Sequence, residues 1–219
     1  YVKQALDFAL LEDFDHLYRY ADLLEMEQGV KAQRLVGEYV EIMPGRPTIA
    51  EHRHPYDSIR YHIDSKSSDM LTVLNTMIIT ASEQQTMNYY MNQGSFYDQS
   101  TLGRQLYTEI AMIEEQHVTQ YGSLMDTNCT WLENSLMHEY CEAYLYYSCY
   151  MDESDKRIKA LWEQLFEQEV AHLHTAAQML KKYEKKDWQQ IIPVGEFPEL
   201  LSFHSCKDYV RQQLESVRL

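Results

Sequence analysis

Glu114 and His117 stand three residues apart, and Glu169 and His172 repeat the spacing further along the chain. On a helix that interval stacks both side chains one turn apart on the same face, so both can reach one ion. The faces they occupy are apolar. Glu114 and His117 share a stripe with Tyr107, Ile110, Ala111, Val118, Tyr121 and Met125, while Glu109, Gln116 and Gln120 point away. Glu169 and His172 lie with Trp162, Leu165, Phe166, Leu173, Ala176 and Leu180, opposite Glu163, Glu167 and Gln168. An ordinary surface helix keeps its charges on the solvent side. A carboxylate turned into the greasy face is costly unless it is paired or bound to a metal.

Single inward acids accompany these pairs. Glu83 shares a face with Ile79, Met87 and Tyr90, and Glu139 and Glu142 lie with Leu132, Leu136, Ala143, Tyr146 and Tyr150. Thirty-one residues lead from Glu83 to Glu114 and thirty from Glu139 to Glu169, so the chain reads as two copies of one pattern. Two Glu-x-x-His pairs plus one inward Glu on each of two other helices is a recipe for a dinuclear metal site. Oxygen and imidazole donors suit hard or borderline divalent ions, with no thiolate to favour copper or an iron–sulfur cluster. Either Glu139 or Glu142 serves as the ligand of its helix, and position along the hairpin favours Glu139. Asp13 and His16 form a third acid-x-x-His pair on the stripe of Leu6, Ala9, Leu10, Leu17 and Tyr20, with Glu12 beside it. They either join the site or form an orienting hydrogen-bonded pair behind it; the interval argument favours the second role. His52, His54 and Pro55, with His62 nearby, read as a solvated loop. Tyr121 and Tyr146 are candidate redox residues, and Tyr121→Phe would then spare metal binding while slowing a redox step.

The elements that must position these residues are long helices. Helical periodicity runs from about Val2 to Gln28, Ser68 to Asn92, Leu102 to Met125, Trp131 to Met151 and Asp155 to Lys186, with shorter pieces near Val30 to Ile42 and Lys207 to Ser216. Ser100 or Thr101, Thr130 and Ser154 are the expected caps. Only about five residues join the third and fourth long segments. At ~3.3 Å per residue they cannot cross a bundle ~35 Å long, so these segments are antiparallel neighbours. The expected fold is all-α, an antiparallel four-helix bundle with an extra N-terminal helix and a C-terminal extension. It reads as one domain over residues 1–219, with a metal-binding core at 68–186 flanked by 1–64 and 187–219.

Composition sets the outer limits. Seven Gly and five Pro in 219 residues are about half the average share, too few for an all-β fold joined by tight turns. With 45% hydrophobic residues and 18 Tyr the chain can bury a core, and disorder is excluded. A net charge of −15 argues against nucleic acid. No 18-residue apolar run crosses a membrane, and no leader segment is visible. Cys129, Cys141, Cys149 and Cys206 form no C-x-x-C pair, which excludes a zinc ribbon and fits free thiols in a reducing cytoplasm.

Glu83, Glu114-Glu115-Gln116-His117, Glu139 with Glu142, and Glu169-Val170-Ala171-His172 resemble the ferritin-like superfamily, and within it the rubrerythrin-like di-iron carboxylate proteins. The resemblance covers about Ser68 to Lys182 and lacks a rubredoxin-like domain. It implies that Glu114 and Glu169 bridge two iron ions, His117 and His172 are terminal ligands, and Glu83 and Glu139 cap one ion each, with Glu142 as an added carboxylate. Manganese or a mixed pair would use the same donors. The function expected is a non-haem dinuclear-metal oxidoreductase that reacts with O₂ or hydrogen peroxide, served by an electron-donor protein and able to form a homo-oligomer. A ferritin-like iron-storage protein, or a helical bundle that has lost its metal, are the alternatives.

Overall fold

Helix capping explains most of the element boundaries. The structure, a computed structural model, describes residues 2–36, 40–42 and 62–217, and among them there is no strand. Six α-helices appear: α1 Val2–Gln28, α2 Met70–Phe96, α3 Thr101–Gly122, α4 Trp131–Asp152, α5 Lys156–Glu184 and α6 Lys207–Val217. The fold is therefore all-helical, as expected. α1 stops at Gly29, whose φ of 65° lies in the left-handed region that glycine adopts without strain. α3 opens on Ser100, whose hydroxyl accepts from the Gly103 N–H at 2.9 Å. The cap of α5 is Asp155 rather than the expected Ser154, because its carboxylate reaches two N–H groups, Arg157 at 2.8 Å and Ile158 at 3.3 Å. Among the described residues between α1 and α2, the expected short helix is represented by a 3₁₀ turn, Ala32–Arg34, and residues 37–39 of that expectation lie outside the described residues. Residues His52 to Pro55 lie outside the described residues, and His62 is exposed.

Thr130 and Glu133 form a reciprocal capping box at the start of α4, with bonds of 3.2 and 2.7 Å. The Thr130 hydroxyl also donates to Glu184 at 2.8 Å, tying the start of α4 to the end of α5. Thr130→Ala removes both contacts and should cost about 1–2 kcal/mol, read as a lowered urea midpoint with an unchanged slope.

The chain folds into two compact units. Unit 1 comprises Tyr1–His62, Ile79–Leu124 and His204–Leu219; unit 2 comprises Ile63–Ile78 and Met125–Phe203. In unit 1 the small residues Ala5 and Ala9, one turn apart on α1, pack with Tyr121 and Leu124 at the end of α3. Further along, Phe14 and Tyr18 pack with Val210 and Leu214 of α6. Burying side chains of that size contributes roughly 1.5–3 kcal/mol each. So α1 is apolar at both ends of the stretch that carries Glu12, Asp13 and His16.

Unit 2 is built on the α4–α5 hairpin. Leu136, Tyr140, Cys141, Tyr144, Ala176 and Leu180 form its core together with Leu74 and Ile192. Tyr140 and Tyr144 donate to the Glu196 and Glu199 carbonyls at 3.1 and 2.8 Å. Phe197 lies 5.3 Å from the Tyr140 ring and 5.7 Å from Tyr147. The tyrosine-rich run of α4 thus serves packing, and the segment after α5 is strapped down by it. All four cysteines are free thiols. Among the described residues no helix is long and apolar enough to cross a membrane.

Candidate metal centre

In unit 1, three helices bring acids and imidazoles together in the interior. Glu12 and His16 on α1, Glu83 on α2, and Glu114 and His117 on α3 are all buried, with Glu114 at 0% and His117 at 1% exposure. Asp13 keeps accessible surface, although it stands beside the charges of Glu114 and His16. The amphipathic pattern dictates this burial. Each acid or histidine sits on the stripe whose apolar neighbours must face inward, and helix rigidity carries the polar groups with them.

Glu114 is the hub. Its Oε2 lies 3.1 Å from His117 Nδ1, and its Oε1 lies 2.9 Å from His16 Nδ1. Glu83 Oε2 comes within 3.4 Å of the same His117 nitrogen. Two triplets result, Asp13–His16–Glu114 and Glu83–Glu114–His117, each with one donor atom per residue inside a 4.8 Å span. Donors about 2.1 Å from one ion stand roughly 3 Å apart when adjacent and about 4.2 Å apart when opposite. The observed separations fall in or near that range. Glu114 Oε1 also lacks hydrogen-bond geometry toward His16, and the buried Nε2 of His16 has no hydrogen-bond partner. The two atoms lie on different sides of the imidazole: Nδ1 faces Glu114 at 2.9 Å, and Nε2 faces Glu12 at 4.0 Å. Hard oxygen and borderline nitrogen donors fit Fe²⁺ or Mn²⁺. With Glu12, whose Oε2 is 4.0 Å from His16 Nε2, four carboxylates can balance two divalent ions.

The electrostatics record the strain of the metal-free arrangement. Burial raises the Glu83 carboxyl to about 8 despite the neighbouring His117. Burial also raises Asp13 to about 6, helped by the charge on Glu114. For His117, burial works downward, but the bonds to Glu114 and Glu83 overcome it and push the imidazole up to about 10. Burial would raise Glu114, yet contacts with His117, His16 and Glu83 hold it well below the usual carboxylate range. At neutral pH a charged Glu114 thus stands between a protonated Glu83 and a protonated His117.

In unit 2, Glu139, Glu169 and His172 form a third triplet. His172 Nδ1 lies 3.0 Å from Glu169 and 3.8 Å from Glu139. Burial and then the adjacent Glu169 raise the Glu139 carboxyl. This group is far more open, since the His172 side chain is 60% exposed. Glu142 does not join it; burial, with the charge on Glu142 adding to it, raises the Tyr146 phenol. Tyr146 stacks on Trp162, with ring centroids 6.0 Å apart. Tyr121 is fully buried with its ring 5.7 Å from that of His117. Because His172 is exposed, His172→Ala in metal-free protein should change stability by less than about 0.5 kcal/mol, read by urea titration.

Thus unit 1 assembles Glu83, Glu114 and His117, and unit 2 assembles Glu139, Glu169 and His172. The residues that sequence reasoning placed behind the site, Asp13 and His16, are drawn directly onto Glu114. Their i, i+3 spacing was the available signal. No protein-family model, no curated protein and no solved structure matches this chain.

Proposed function

We propose that unit 1 holds a dinuclear metal centre, most readily di-iron or manganese, and that the protein is a non-haem oxidoreductase acting on O₂ or hydrogen peroxide. One observation carries the reading: a single buried carboxylate, Glu114, offers one oxygen to each of two histidines, and each histidine has a second acid within ligand distance. In this reading Glu114 bridges. Asp13 and His16 complete one position, and Glu83 and His117 complete the other. The rubrerythrin-like resemblance and the antiparallel four-helix bundle belong with this proposal, and the all-helical fold is compatible with both.

Glu83, Glu114 and His117 with Asp13 and His16 would hold two such ions, whose chemistry when bound would be electron supply to an oxygen–oxygen bond. The chain's own residues do the rest. Glu83 and His117 carry protons at Oε and Nδ1 that entering ions displace. Burial of Glu83, Glu114, His16 and His117 excludes bulk water and keeps the carboxylates strongly attractive to cations. Asp13 keeps accessible surface while Glu12, Glu83 and Glu114 are buried, so it is the acid of this group that solvent reaches.

The test is anaerobic loading with Fe²⁺ and with Mn²⁺, desalting, elemental analysis, and then mixing with O₂ or peroxide. About two ions in unit 1 and rapid oxidation of the ferrous form support the reading. Protein that retains no metal overturns it. Uptake of many ions per chain after oxidation would indicate storage instead.

A further inference from the structure

Five tyrosines of unit 1 cluster beside the centre, and sequence reasoning assigned none of them a role. Tyr20 lies one turn beyond His16 on α1. Its ring is 4.9 Å from Tyr107 on α3 and 5.1 Å from Tyr90 on α2. Tyr107 lies 5.3 Å from Tyr97, in the segment between α2 and α3. Tyr97 donates its phenolic proton to the Glu27 carboxylate, which Ser100 also holds. The other branch runs from Tyr90 to Tyr89 at 5.7 Å, where Tyr89 is exposed.

Two glycines are needed for the first branch. A Cβ on Gly103 would overlap the Tyr97 ring, and one on Gly94 would sit 3.2 Å from Tyr107 Cβ. The path is therefore built into the backbone. Proton accounting also separates the branches. The buried Tyr20 hydroxyl has no hydrogen-bond partner. Burial raises the phenols of Tyr20 and Tyr90 further, with the charge on Glu114 adding to the effect. Tyr97 alone among the five has a carboxylate on its phenol, and that bond pushes it up to about 12.

We propose that Tyr20, Tyr107 and Tyr97 form a one-electron relay between the buried centre and a one-electron donor at the surface, with Glu27 as the proton partner of Tyr97. The proposal rests on the reading of unit 1 as an oxidising centre. Cleaving hydrogen peroxide to two waters takes up two electrons and two protons. Each electron leaves Tyr97 through Tyr107 and Tyr20, and the Tyr97 proton moves to Glu27 as its radical forms. A reductant at the surface, a small one-electron donor or an electron-carrier protein, returns the electron, and Glu27 returns the proton to Tyr97, so the two protons taken up at the peroxide come from solvent.

The first arm of the test uses metal-free protein and a flash-generated ruthenium(III) polypyridyl oxidant in solution, with transient absorption and electron paramagnetic resonance. The wild type should accumulate a long-lived buried tyrosyl radical. Tyr107→Phe and Tyr97→Phe, which keep the rings, should lower its yield at least tenfold, and Tyr89→Phe should not. Equal yields in all variants, or loss only in Tyr89→Phe, overturn the relay. In the second arm, iron-loaded protein is oxidised with peroxide and re-reduced by ascorbate. Tyr107→Phe should slow re-reduction at least tenfold at unchanged iron content; an unchanged rate overturns the relay. If wild-type protein binds no iron, the centre fails as read, while the flash arm still decides the relay.

Discussion

Glu114→Gln should abolish both metal positions of unit 1 at once, so the retained ion count falls by about two. An amide keeps the volume and one oxygen acceptor but removes the charge and places an NH₂ against one imidazole. Because Oε1 and Oε2 of Glu114 face different histidines, neither position survives the change with its ligand set intact. Losing one of several ligands or supporting groups commonly costs 10–100-fold in affinity, and a shared ligand imposes that loss twice. Glu83→Gln and His16→Ala touch one triplet each and should leave about one ion. Elemental analysis reads each result as a difference in ions per chain from the wild type. If Glu83→Gln and Glu114→Gln lose the same amount, the bridging role is wrong.

Loading the centre at pH 7 should release roughly two protons per chain. Glu83, raised to about 8, and His117, raised to about 10, both hold protons at that pH in the metal-free chain. Asp13, at about 6, has mostly shed its own. Apparent affinity should therefore climb about 100-fold per pH unit around neutrality. Calorimetry in buffers of different ionisation enthalpy reads the proton count directly. Stability of the metal-free protein follows the same protons. The folded values of Glu83 and His117 lie above the ordinary 4.5 and 6.5. Their stabilising protonation is complete below those ordinary values and is lost as pH rises through about 8 and about 10. Glu114 shifts the other way, so its contribution is present above the ordinary 4.5 and lost as pH falls. Thermal melts should place the optimum on the mildly acidic side, and bound metal should remove the alkaline decline. A melting temperature that rises from pH 6 to 9 without metal would contradict this account.

The helices were legible in the sequence because their boundaries are local. Gly29, Ser100 and Thr130 act within a few residues of themselves, and the structure uses each of them. The inward faces of Glu83, Glu114 and His117 were legible for the same reason, since a 3.6-residue period fixes a face. What meets that face is not local. The link between α1 and α2 leaves no periodic trace of where α1 returns, so chain intervals pointed to Glu83 and undervalued Asp13 and His16. The aromatic relay escaped for a related reason. Tyr20, Tyr97 and Tyr107 come from three stretches of chain and carry no motif; Gly103, small where α3 needs no flexibility, was the one available hint.

Unit 1 draws on three separated stretches of the chain, and α6 closes over Phe14 and Tyr18 on either side of His16. During synthesis, α1 leaves the ribosome before the helices it packs against and must wait for nearly two hundred further residues before α6, which clamps it, arrives. Its acids and histidine would spend that interval solvated, able to bind stray cations weakly but unable to hold the pair. If the centre holds metal as proposed, its chemistry with oxygen would be deferred until the polypeptide has been made through α6, a timing safeguard that arises from connectivity alone.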